Sequence, residues 1–209
     1  MRIGIDIDDT LTNSRDFFIQ HVSEYMYKKG YPIKTHPEYL RIQNFFELNN
    51  TEIMDDIHEA YITSCPVRYF AKEAIKLMKE QGHEIYIITA RWANQFIDEK
   101  LTTTCAEATK KWLMDNEILF DKLIFSLNKG ITCLNNDIDI MIDDHMDFLR
   151  DIKKNSPETA RFMMHTDDNA KYSFPHRVCT WPEFLQWVEK IDKHKKNKIM
   201  KNQFEFSEK

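Results

Sequence analysis

Ile3-Gly4-Ile5-Asp6-Ile7-Asp8-Asp9-Thr10-Leu11-Thr12 places three aspartates directly behind a short apolar run. A strand of this composition delivers carboxylates to its carboxyl end. Side-chain alternation then sends Asp6 and Asp8 to one side and Ile5, Ile7 and Asp9 to the other. Carboxylates this close repel and raise each other's pKa unless a cation or hydrogen bonds compensate. Magnesium is the simplest compensation, and Asp6 and Asp8 can share one metal and one substrate.

Working outward, the first run reads as a strand over residues 2–7, and four more runs of strand length follow at 84–89, 122–126, 138–142 and 160–165. Helical patterns separate them. Residues 71–81 are amphipathic and end at Gly82, a C-cap; residues 93–116 form a helix with an irregular start; residues 146–154 form a short one. Pro182 opens a last helix over 183–191, against which Trp181 packs the sheet. Strands alternating with helices predict an α/β, Rossmann-like parallel sheet with helices on both faces.

About sixty residues between the first strand and Ala71 break this alternation. They read as a helix over 14–29, a link containing Pro32 and Pro37, a Phe45-Phe46 segment and a second helix over 51–64, with no strand-like run. The expectation is a small helical cap inserted after the first strand. Open α/β sheets bind ligands at the carboxyl ends of their strands, so a cap there is placed to act as a lid. The division is therefore a catalytic core of residues 1–12 and 71–190, a cap of 13–70 and a basic polar C-terminal tail of 191–209.

With 209 residues, 42% hydrophobic and 30% charged, the chain has the composition of an ordinary globular protein. No stretch approaches the ~18 consecutive apolar residues of a membrane span, and the first residues lack the pattern of a signal peptide, so a cytoplasmic location is expected. Cys65, Cys105, Cys133 and Cys179 are widely spaced and read as reduced structural thiols. Only four glycines occur, and no phosphate-cradling glycine loop is among them. The net charge is −5, but residues 190–209 carry seven lysines against three acids, a net +4 that leaves −9 for the remainder. An acidic body of this kind argues against binding extended nucleic acid.

Three further polar signals fall at strand ends. Thr89-Ala90-Arg91 follows one apolar run, Ser126 leads to Lys129 after another, and Asp143-Asp144 closes a third. A phosphate monoester is a dianion, so a site lined by aspartates admits it only when a divalent cation and a lysine offset the repulsion. Asp6 and Asp143 can offer oxygens to magnesium, with a backbone carbonyl, waters and the phosphate completing the shell. Asp6 is then oriented as a nucleophile, and an aspartyl-phosphate would divide one difficult displacement into two easier ones.

The ordered set Asp6-Ile7-Asp8-Asp9-Thr10, Thr89, Lys129 and Asp143-Asp144 resembles the four motifs of the haloacid dehalogenase superfamily, over residues 2 to about 188. That resemblance implies Asp6 as nucleophile and Asp8 as the general acid that then activates water. It also implies Thr89 and Lys129 as phosphate ligands, with Ala90 and Arg91 beside them. Magnesium would be held by Asp6, the backbone carbonyl of Asp8 and Asp143, with Asp144 as an outer orienting group. A narrower resemblance, carried by the cap's position, Thr89-Ala90-Arg91 and Asn169 with Arg177-Val178-Cys179-Thr180-Trp181, is to the 5'(3')-deoxyribonucleotidase-like group and bacterial nucleotidases. His165-Thr166-Asp167-Asp168 departs from that group's pattern.

Other readings stand beside these. Asp143-Asp144 could cap the following helix, Arg91 could bind substrate or pair with a carboxylate, and Asp147 could support the metal site or only start a helix. Phe17, Phe18, Phe45 and Phe46 read as core rather than as a base-stacking platform, Trp92 has a better claim to a ligand, and the histidines show no metal spacing. The expected partner is a small phosphorylated metabolite, a nucleotide first and a sugar phosphate second, with no membrane and with a homodimer left open. Phosphotransfer to an alcohol and a non-catalytic binding domain are the competing functions.

Overall fold

The computed structural model describes residues 1–30, 60–91 and 99–207. Six parallel strands form one sheet: β1 (Arg2–Ile5), β2 (Glu84–Thr89), β3 (Lys122–Phe125), β4 (Ile140–Asp143), β5 (Ala160–Met164) and β6 (Arg177–Val178). Their order is β3-β2-β1-β4-β5-β6, so β1 lies between β2 and β4 at the sheet's centre. The helices are α1 (Ser14–Lys28), α2 (Ala71–Glu80), α3 (Glu99–Asp115), α4 (Lys129–Asn135), α5 (Met146–Asn155) and α6 (Trp181–Ser207).

The strands bury both faces, which is why they read as unbroken apolar runs. Ile3, Ile5, Ile85, Ile87, Ile140, Ile142, Phe162 and Met164 pack against α2, α3 and α6. Their alternates Tyr86, Ile88, Met141 and Met163 pack against α4 and α5. On β1 the alternate is Gly4, where a Cβ would lie 2.5 Å from Met141 Sδ. The absent side chain leaves that thioether its space.

α2 ends as its sequence predicts: Gly82 has φ +84°, and the amides of Gly82 and His83 reach back to the carbonyls of Lys79 and Met78. Trp181 is buried and its indole donates to the Thr10 carbonyl at 3.3 Å. α6 does not stop at 191. No glycine or proline interrupts residues 183–207, and the helix runs through the expected tail to Ser207.

Two elements escape the sequence reading. α4 spans only seven residues and β6 only two, too few for a period to register. Of the segment expected as a cap, α1 and a helical stretch at 60–64 are described. The Pro32 and Pro37 link, Phe45-Phe46, most of the 51–64 helix, Trp92 and residues 93–98 lie outside the described residues.

Candidate active site

Register brings the acids together. Ile5 of β1 pairs with Ile142 of β4, so Asp6 and Asp143 fall on the next rung, and the Asp6 amide donates to the Ile142 carbonyl at 3.1 Å. Carboxylate oxygens of Asp6, Asp143 and Asp144 all lie within 4.8 Å of one another. Lys129, only 1% exposed, sends its Nζ between two of them, 2.6 Å from Asp6 Oδ1 and 2.6 Å from Asp143 Oδ2. The same ammonium lies 4.4 Å from the centre of the Phe148 ring. Lys129 opens α4, and Gly130 beside it lets that helix sit directly on α5, its amide donating to Asp151 Oδ2 at 2.7 Å.

Burial is the main force on the acids. It pushes the Asp6 carboxyl up to about 8, against the pull of Lys129 and with help from Asp143 and Asp8. Asp144 is pushed well above the usual carboxylate range by burial first, then by Asp143 and Asp6. Burial opposes the charge on Lys129, but Asp143 and Asp6 more than offset it and keep the amine protonated. With one ammonium beside them, the three acids can all ionise together only if further positive charge joins the cluster. An all-oxygen set of this kind suits a hard divalent cation such as magnesium, whose charge would stabilise the ionised acids.

Asp8 lies past the end of β1, near enough to Asp6 for its charge to help raise that carboxyl. β1 ends at Ile5, and the chain turns after Ile7: the amides of Thr10, Leu11 and Thr12 all converge on the Ile7 carbonyl at 3.3, 2.9 and 3.0 Å, and Asp9 takes φ +53°. Ile7 keeps the alternation, packing into the same core as Ile3 and Ile5 while Asp6 stands in the acidic cluster. Asp8 meets Arg91, whose Nε donates to Oδ1 at 2.7 Å, and the Tyr61 hydroxyl, which donates to the same oxygen. Arg91 is buried, with its guanidinium 4.7 Å from the Tyr61 ring centre and 5.7 Å from that of Trp112. Asp9 braces the start of α1, accepting from the Arg15 amide at 3.2 Å while its own amide donates to Ser14 Oγ at 3.0 Å.

Thr89 ends β2 fully buried, and its Oγ1 accepts from the Arg91 amide at 3.1 Å across the half-buried Ala90. Asp144, expected as an outer group, stands inside the acidic cluster. Asp147 stands outside it: α5 begins only at Met146, so Asp147 falls on an outward first turn, 72% exposed and paired with Arg150 at 2.9 Å. The helix-cap reading of Asp143-Asp144 also fails, because the N-cap is His145, whose amide donates to Asp143 Oδ1 at 2.8 Å.

Behind the cluster, Asn169 joins two loops. Its Nδ2 donates to the carbonyls of Asp144 at 2.9 Å and Met164 at 2.8 Å, and its Oδ1 accepts from the Thr166 amide at 3.1 Å and from Arg177. Arg177 also donates to the carbonyls of Asn169 and Tyr172 at 3.0 and 2.6 Å. Tyr61 has no sequence signal at all, since its partner Asp8 lies 53 residues away.

A protein of Oceanobacillus iheyensis named "Putative nucleotidase" is 32% identical over 197 residues, covering 89% of this chain and 98% of its own. A Bacillus cereus protein of the same name is 32% identical over 123 residues, covering 55% and 58% of the two chains. Among solved structures, a "predicted phosphatase" from Clostridium acetobutylicum matches with a TM-score of 0.59 at 15% identity over 90% of this chain and 98% of its own. A haloacid dehalogenase-like hydrolase from Streptococcus pneumoniae matches with a TM-score of 0.58 at 14% identity, over 90% and 97%. No family model matches. The sheet order and the two solved structures agree that the fold is that of haloacid dehalogenase-like hydrolases, and the near full-length relative shows that the chain belongs to the same family as the Oceanobacillus protein.

Proposed function

We propose that this phosphatase is a magnesium-dependent phosphomonoester hydrolase that works through an aspartyl-phosphate on Asp6, with nucleoside or deoxynucleoside monophosphates as its substrates. The observation that carries the reading is the position of Asp6, buried at a central strand end and fixed by Lys129 beside Asp143 and Asp144. Magnesium would be held by Asp6, Asp143 and Asp144, with the Asp8 backbone carbonyl, and when bound it supplies the positive charge that admits a phosphate dianion.

An Asp6 oxygen attacks phosphorus, the bond to the leaving oxygen breaks, and Asp8 gives that oxygen its proton. Asp8 then takes a proton from water as the water attacks phosphorus, and the bond to Asp6 breaks. Thr89 and Lys129 would hold phosphate oxygens through both displacements, with Ala90 and Arg91 shaping the same strand end. The nucleotide assignment draws its support from the names of the two relatives. Asp6→Asn tests the chemistry: turnover of an aryl phosphate should fall by more than about a thousandfold with the fold intact by circular dichroism. Retained activity would remove Asp6 as nucleophile. A screen of nucleotides, deoxynucleotides and sugar phosphates at equal concentration tests the substrate class, and a preference for sugar phosphates would overturn it.

A further inference from the structure

Among the described residues, the hydrogen bonds to the Asp8 carboxylate fall on one of its two oxygens. Arg91 Nε donates to Oδ1 at 2.7 Å, Arg91 Nη2 lies 2.7 Å from the same atom, and the Tyr61 hydroxyl donates to it as well. Among the described residues no hydrogen bond falls on Oδ2, and the side chain as a whole is 40% exposed. A carboxylate has two equivalent oxygens and a free rotation about its last bond. Three contacts on one oxygen remove that equivalence and leave the other without a hydrogen bond among the described residues.

The two holders are themselves held. Arg91 is buried, its amide is tied to Thr89 Oγ1 at 3.1 Å and its guanidinium lies over Tyr61. Tyr61 packs against Phe17 and Phe18 of α1, and its hydroxyl also meets Ser14 Oγ at 2.8 Å and Thr12 Oγ1 at 3.3 Å. Tyr61 belongs to the helical stretch 60–64, far in sequence from both strand ends.

We infer that Tyr61 and Arg91 are positioning residues for the reaction: they anchor Asp8 by Oδ1 so that Oδ2 alone exchanges the proton with leaving group and water. The inference rests on the reading of Asp8 as acid and base. It makes proton transfer depend on where the segment carrying Tyr61 sits, since withdrawing its hydroxyl frees one side of the carboxylate.

Tyr61→Phe keeps the ring and removes only the hydroxyl, and Arg91→Lys keeps the charge and removes the fork. Each is measured with an aryl phosphate and magnesium, alone and in an Asp8→Asn background. The readouts are kcat, KM and the decay of trapped phosphoenzyme after a single turnover. The expected result is a fall in kcat of about tenfold at unchanged KM, with phosphoenzyme decay slowed by the same factor. In the Asp8→Asn background the same substitutions should change the decay less than about twofold, because the group they act through is gone. Equal losses in both backgrounds would show a merely structural role and overturn the inference; so would an unchanged kcat, or a rise in kcat, which would mean that the contacts restrain Asp8. Should Tyr61→Phe fail to fold, Arg91→Lys decides. A wild-type enzyme with no phosphoenzyme overturns the proposed function and this inference together, whereas wild-type decay in a folded variant overturns this inference alone.

Discussion

Gly130 and Asp151 approach so closely that a Cβ on Gly130 would lie 2.4 Å from the Asp151 carbonyl oxygen and 2.9 Å from its Oδ2. Backbone cannot move aside as a flexible side chain does, so Gly130→Ala must push α4 away from α5. The expected loss of stability is about 1–3 kcal/mol. Lys129 is the next residue, so its Nζ should leave the Asp6 and Asp143 carboxylates and kcat should fall. Denaturant unfolding with steady-state kinetics checks both, and lost stability at full kcat would show that this contact does not set Lys129.

Lys129→Met removes the ammonium that lies between Asp6 and Asp143 while filling much of its volume. Buried acids left uncompensated should cost about 3–5 kcal/mol in the presence of EDTA. Magnesium should return a large part of that loss, because it binds the same oxygens in the folded state. The measurement is unfolding with EDTA and with magnesium. An equal deficit in both would argue against a cation at the cluster.

His83 is buried, and burial holds its imidazole below the ordinary value near 6.5. The unfolded chain therefore takes up this proton at higher pH than the folded one. The contribution to stability is complete above about pH 6.5 and is lost as pH falls through the folded value. His83→Phe should flatten the stability profile below pH 6.5 relative to wild type. Superimposable slopes from pH 7 to 5 would refute it.

The thiols offer a test of packing. Burial pushes Cys65 and Cys133 up to about 12 and raises Cys105 as well, whereas Cys179 is exposed. Iodoacetamide at pH 8 should label one thiol quickly in the native chain and all four once it is unfolded. Mass spectrometry placing the fast label anywhere but Cys179 would contradict the core described above.

What was legible in the sequence was what strands write locally. Asp6, Thr89 and Asp143 each follow an apolar run, and a parallel sheet brings such ends to one edge, so the central acids could be placed from pattern alone. The pattern holds as far as Ile7 and carries no further. Ile7 packs with Ile3 and Ile5, and its carbonyl then collects three amides of a turn, so the partners of Asp8 lie beyond what alternation can tell. Asp144 and Asp147 turned on where α5 starts, and helix starts are poorly marked when the N-cap is a histidine with no capping bond. Tyr61 and Arg91 lie 53 and 83 residues from Asp8, a separation at which no local period carries information.

The amide of Asn169 spends both of its donors and its oxygen on joining the loop that carries Asp144 to the loop after β5, and Arg177 locks it from the far side. In mechanical terms it is a keystone: load applied to one loop is carried by the other. Changes on either loop would therefore be felt on the other, and so at Asp144. Asn169→Asp, identical in shape and one atom different, would replace two donors with repulsion against two carbonyls and loosen the arch where it is thinnest.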